Sequence, residues 1–279
     1  MINLLFSVLS STIIALILKY NSSSKGEPIV LLMGNYFIAS IIGVFLIFIE
    51  GEIILNLKLI LFGILMGGIF VSSFFIFSKA IECSGTALAT VSSRISVVIP
   101  ISFSIIFFSE IPTIFQLSGI LLLIPILIFF YFSIKSSTTE LRKNSFGILL
   151  LLLVGIGIGD FGMKIFNHFF EAVAKPTFLF SIFFSALIVT LVFIVIKKIR
   201  IKRNDFLLGN ALGIPNILSS FFLLAALEDL PSIIVYPLIN IGVIVFTAIL
   251  AFIIWKEKIN KYGLTAIFLS VILIWLLRK

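Results

Sequence analysis

A chain of 279 residues could form one or two water-soluble domains, but with 61% hydrophobic and 11% charged residues it has too little polar surface to wrap their cores. This composition, including 32 phenylalanines, excludes a soluble globular protein and fits a chain whose outer face meets lipid. The net charge of +8 does not indicate nucleic-acid binding, because the basic residues fall in short gaps between apolar runs, where they orient helices and meet anionic headgroups.

A hydrocarbon core of roughly 30 Å needs about 20 apolar residues per helix. Suitable runs occur at 2–19, 29–49, 57–79, 86–108, 114–134, 146–165, 177–196, 206–227, 232–254 and 262–277, predicting an all-α polytopic membrane protein with ten transmembrane helices. The first run lacks a basic n-region and a small-residue cleavage site, so it reads as a retained helix. Cys83 is the only cysteine, which rules out an internal disulfide. The longest polar gap, 135–145, reads as a linker between a first half, 1–134, and a second, 146–279.

The halves repeat. Setting residues 63–82 above 209–228 without a gap matches Gly63, Gly67, Ser73, Phe75, Ala80 and Glu82 with Gly209, Gly213, Ser219, Phe221, Ala226 and Glu228. After a one-residue shift, Glu110 answers Glu257 and Thr113 answers Asn260. Each half has an odd number of spans, so the second is expected to enter the membrane with opposite orientation. Such inverted repeats are the usual architecture of secondary transporters, with a site near the midplane.

Several residues stand out in chain order. Gly63 and Gly67, with Gly209 and Gly213, form GxxxG pairs that permit close helix packing. Arg94 lies near the middle of the fourth span, where an arginine costs about 2.5–3.5 kcal/mol and should face a wet cavity or a partner. Two roles are open for it: attracting an anionic substrate group, or pairing with Asp160 in the sixth span. Its repeat counterpart is Asn240. Pro100, Pro125, Pro215 and Pro237 are expected to interrupt spans and free carbonyls that, with Asn216, Tyr236 and Asn240, line a polar cavity. Glu110 and Glu257 close the fourth and ninth spans and are expected to anchor turns. Lys19 and Lys164 are expected to snorkel toward headgroups. Gly157-Ile-Gly159-Asp-Phe-Gly162 matches GxGxxG but sits inside an apolar span, so a dinucleotide role is rejected. His168, the only histidine, reads as interfacial, and no metal-ligand set, P-loop or Ser-His-Asp arrangement is visible.

Residues 80–119 (AIECSGTALATVSSRISVVIPISFSIIFFSEIPTIFQLSG) and 226–266 (ALEDLPSIIVYPLINIGVIVFTAILAFIIWKEKINKYGLTA) carry the same order of features: a small-residue helix, a proline-bearing span, a closing glutamate and a final small-residue helix. In this the chain resembles the EamA-like branch of the drug/metabolite transporter superfamily. One departure is that the first copy's Pro100 is answered by Phe246, while the second copy carries Pro237 nine residues earlier. The resemblance implies a ten-helix fold with a central cavity, and export or exchange of small metabolites without ATP.

The resulting expectation is a cell-membrane transporter, not an enzyme, working by alternating access on a small polar or amphipathic solute bound at Arg94, Asn240, Asp160, Tyr236 and Asn216. No cofactor or metal is expected. Expected partners are the solute, membrane lipids and, as an option, a coupling proton or ion, with the chain a monomer or homodimer. The rivals are a flippase for an anionic lipid-linked headgroup and a membrane-embedded transferase, for which only the Glu228-Asp229 pair offers chemistry. Counting Lys and Arg by alternate connections gives 14 against five, which places both termini outside. The family resemblance implies the opposite.

Overall fold

The computed structural model describes residues 1–23, 26–50, 56–134, 145–255 and 260–277. Regular structure among them is entirely helical: α1 Ile2–Ser23, α2 Pro28–Glu50, α3 Leu57–Ile95, α4 Val98–Phe108, α5 Ile114–Ile134, α6 Ser145–Phe169, a 3₁₀ turn Ala172–Ala174, α7 Lys175–Lys197, α8 Arg203–Asp229, α9 Ser232–Trp255 and α10 Lys261–Leu277. Backbone N–H and C=O groups find no water in hydrocarbon, and a helix satisfies them internally.

Nine segments among the described residues are long and apolar enough to cross a bilayer. The chain is a multi-pass membrane protein. The tenth helix is apolar but has 17 residues, about 26 Å at 1.5 Å per residue, slightly short of a hydrocarbon core.

The third and fourth apolar spans are both present, at Leu57–Ser84 and Leu88–Phe108, but no turn separates them: α3 runs unbroken for 39 residues, Leu57–Ile95, through the gap at 80–85. That gap contains one glycine and no proline, and small residues weaken a helix without stopping it. The break comes later, at Ser96 and Val97. Pro100 lacks an N–H, and its ring crowds the carbonyl four residues back, that of Ser96. Pro125, Pro215 and Pro237 lie inside helices that remain continuous.

The helix ends follow local chemistry. Ser109 and Lys198 close α4 and α7 in the left-handed region, at φ 54° and 51°, with the Lys198 and Ile199 N–H groups donating to the Val195 and Ile194 carbonyls. Thr113 and Gln116 form a reciprocal capping box at the start of α5, and Asn260 Oδ1 accepts the Gly263 N–H at 2.9 Å at the start of α10.

The chain packs as two compact units, and each draws on both sequence halves. The first comprises Met1–Val71 and Ile165–Asp229, the second Ser72–Lys164 and Leu230–Lys279. In the first, Phe62, Phe178 and Phe166 stack within 7° of parallel, with centroids 5.4 and 4.3 Å apart. Lipid tails are as apolar as leucine, so helices associate here through close packing rather than through water expulsion. Small residues provide it. A Cβ on Gly209 would strike the Leu31 carbonyl oxygen and come within 3.0 Å of Gly34 Cα, and one on Gly213 would strike the Asn35 carbonyl. Equally, a Cβ on Gly63 would strike Ser181, and one on Gly67 the Ile182 carbonyl and Ser185. The neighbouring helix thus leaves no room for a Cβ at any of these four glycines.

Gly209→Ala should then force α8 off α2 and destabilise the protein by about 1–3 kcal/mol, the cost of overpacking. At Gly68 an added Cβ would meet nothing within 4 Å, so Gly68→Ala should leave stability unchanged or raise it by up to about 1 kcal/mol through helix propensity. Thermal unfolding in detergent separates the two, and equal midpoints for both variants would contradict a close α2–α8 seam.

Candidate functional site

The second unit brings together four of the five residues expected to bind substrate. Arg94 occupies the last turn of α3, immediately before the helix breaks. Around the break the backbone shortens to three-residue bonds, Val97 N–H to Arg94 O at 3.5 Å and Ile99 N–H to Ser96 O at 3.0 Å. Serines fill the gap: Ser93 Oγ donates to Thr90 O at 2.7 Å, and Ser96 Oγ to Ser93 O at 2.6 Å. Ser92 Oγ donates to Leu149 O at 2.6 Å, tying α3 to α6. A cation in the last turn is favoured by the negative end of the helix dipole.

From Arg94 a polar chain runs across three helices. Arg94 Nη1 donates to Asn240 Oδ1 at 3.2 Å, and Asn240 Nδ2 donates to Tyr236 O at 3.1 Å within α9. Tyr236 Oη then donates to the backbone oxygen of Asp160 on α6 at 2.6 Å. A guanidinium has five N–H donors. Arg94 is half-buried, and its Nε is buried without a partner among the described residues.

The alternative role for Arg94, a direct pair with Asp160, is not what the geometry holds. The two charges act on each other through space, but among the described residues no ion pair within 4.0 Å joins them. Arg94 thus keeps donor capacity that the described residues do not use. Close approach of α6 comes from Gly157, where a Cβ would lie 2.6 Å from Ile99 and 2.9 Å from the Ser96 carbonyl. The GxGxxG run lies inside the continuous helix α6, with Gly157 its point of close contact with Ser96 and Ile99.

Lys164 does not snorkel. It is buried and paired with Glu110 at 2.7 Å, its Nζ 5.5 Å from the Phe108 ring centroid. The other carboxylate oxygen of Glu110 accepts the Ile233 N–H at 3.1 Å, capping the first turn of α9. Glu110 reaches there from a turn set by left-handed Ser109, its own N–H donating to Ser104 O at 3.3 Å. A lysine one turn after Asp160, near a span end, suggests snorkelling. The carboxylate that holds it instead comes from a distant connection, which spacing along the chain does not reveal. Glu257, the repeat counterpart of Glu110, lies outside the described residues.

Asn216 belongs to the first unit, where its Nδ2 donates to Asn35 Oδ1 at 3.0 Å. In the same unit Lys175 grips both carboxylate oxygens of Glu228, at 2.8 and 3.0 Å, beside the Phe221 ring. Asp229 accepts from Asn3 at 3.3 Å. Neither partnership is visible in the sequence, because the paired residues are far apart along the chain.

No family model matches the chain. It is similar to an uncharacterized protein of Haemophilus influenzae, 27% identical over 212 residues that cover 74% of this chain and 70% of that one. A crystal structure of a protein superposes over 99% of this chain and 94% of its own length, at a TM-score of 0.80 and 13% identity. At that identity the likeness establishes the fold alone.

Proposed function

We propose that this multi-pass membrane protein is a secondary transporter that moves a small anionic or amphipathic solute by alternating access, with Arg94 as the anion-binding group. The observation that carries this is the partly unpartnered guanidinium at a helix break. A charge in a membrane span is costly, and leaving its donors unspent adds to the cost. Both costs are understandable if a substrate oxygen completes the site. Helices that break beside the ligand are also a recurring feature of transporters.

The duplicated, inverted architecture is part of the same reading, and matched contacts support it. Gly63 with Ser181 and Gly67 with Ile182 repeat Gly209 with Gly34 and Gly213 with Asn35, at sequence offsets of 146 for one partner and 147 for the other. Ser73 lies against α6 at Gly155, and its counterpart Ser219 is bonded by Ser7 and Ser11 of α1. Thr113 and Asn260, matched in sequence, both start helices. Arg94 and Asn240 are matched and touch, as residues close to a pseudo-twofold axis would. The resemblance to the drug/metabolite transporter superfamily points the same way. A transferase is less well supported, because Glu228 and Asp229 are both engaged by side chains of the chain itself.

A ligand screen by thermal shift in detergent tests the proposal. A carboxylate, phosphate ester or sulfonate at 100 times its dissociation constant should stabilise the protein by about 2.7 kcal/mol, and the shift should vanish in Arg94→Ala. Equal shifts in both proteins would remove Arg94 from the site.

A further inference from the structure

The connection between α7 and α8 holds the densest basic cluster in the chain, Lys197 to Arg203. Together with the end of α1, it forms a cavity of about 1020 Å³ within the first unit. Its lining includes Tyr20, Arg200, Lys202 and Arg203 together with Leu207 and Ala211 of α8. The three cations are exposed, and among the described residues none of them is in an ion pair. Asp205 is the one carboxylate in the described lining; it is buried, and its Oδ2 is occupied by the Glu27 N–H at 2.9 Å. The cavity therefore carries an excess of two positive charges beside an apolar wall.

We propose that this cavity is a binding site for an anionic phospholipid, the phosphate held by Arg200, Lys202 and Arg203 and the glycerol–acyl region lying against Leu207 and Ala211. The chemistry required is a phosphate ester anion, recognised by guanidinium forks and an ammonium. A soluble ester would satisfy the cations but leave the wall wet, with Leu207 50% and the neighbouring Ile201 51% exposed. A lipid covers both. The volume lies at the upper end of small-molecule sites, about 300–1,000 Å³, so a headgroup with its glycerol fits. Tyr20, at the end of the first apolar span, adds an amphipathic ring of the kind that favours the headgroup region.

Native mass spectrometry of the full-length protein in micelles containing phosphatidylglycerol and phosphatidylcholine provides the test. Each cation near an anionic surface contributes roughly a fivefold preference, so the three together should favour retained phosphatidylglycerol by about 100-fold. The R200Q/K202Q/R203Q variant should retain the two lipids about equally with an unchanged melting temperature, since all three residues are exposed. K197Q/K198Q, altered outside the cavity lining, should keep the preference. Retention unchanged in the triple variant would overturn the site. Preference lost equally in the double variant would also overturn it, by reducing it to general surface charge. If glycerol 3-phosphate raises the melting temperature of the wild type while no phosphatidylglycerol is retained, the ligand is a soluble ester and the lipid assignment fails.

Discussion

Arg94→Ala is expected to lower carrier-mediated flux of an anionic solute by roughly 10- to 100-fold, the loss of one hydrogen bond to a charged group. The fold should survive. Removal takes away one side-chain bond, to Asn240 at 3.2 Å, and with it a buried nitrogen that is unpartnered among the described residues. The melting temperature should therefore stay within a few degrees of wild type or rise. Arg94→Lys separates charge from shape. A lysine keeps the positive charge but not the planar fork, so it should restore binding only in part and leave Asn240 less well held. Flux through proteoliposomes, compared at equal protein content, reads wild type and both variants. Lost flux together with a collapsed melting temperature would make Arg94 a structural residue instead.

The largest stability effect is expected at Glu110. Its carboxylate binds Lys164 at 2.7 Å and the Ile233 N–H at 3.1 Å, so Glu110→Ala leaves a buried ammonium unpaired and an α9 donor unsatisfied. Removing one partner of a buried pair costs about 3–5 kcal/mol. Thermal unfolding in detergent should show this as a drop on the order of 10 °C. Lys164→Met in the Glu110→Ala background removes the stranded charge and should recover much of the loss. Such recovery is the mark of coupling in a double-mutant cycle. A double variant no better than Glu110→Ala would mean that the contribution of Glu110 is its cap on α9 alone.

Composition and hydropathy suffice for the class of fold, because a bilayer demands long apolar helices whatever the function. Segment ends are less legible. The continuation of α3 through residues 80–85 is invisible in the sequence, because a gap of small residues looks the same whether it turns or stays helical. The true break near Arg94 can be placed from Pro100, whose steric effect falls four residues upstream. At the site, Arg94 and Asn240 are legible as unusual residues at matched positions. Their bond is not, since sequence gives no side-chain direction. Lys164 misleads for a related reason: its partner Glu110 comes from another connection, and only tertiary packing brings the two together. The close approaches at Gly63, Gly67, Gly209 and Gly213 are legible, because the spacing itself carries the geometry.

The central claim is that the middle of the span bearing Arg94 is wet, and thiol labelling tests it most directly. In a Cys83→Ser background that removes the only native thiol, Arg94→Cys should react with a membrane-impermeant methanethiosulfonate applied to one face of the membrane. Ile241→Cys, on α9 at a fully buried position, should stay unmodified. A thiol at position 94 as inert as one at 241, from either side of the membrane, would mean a dry packed core and contradict transport through it.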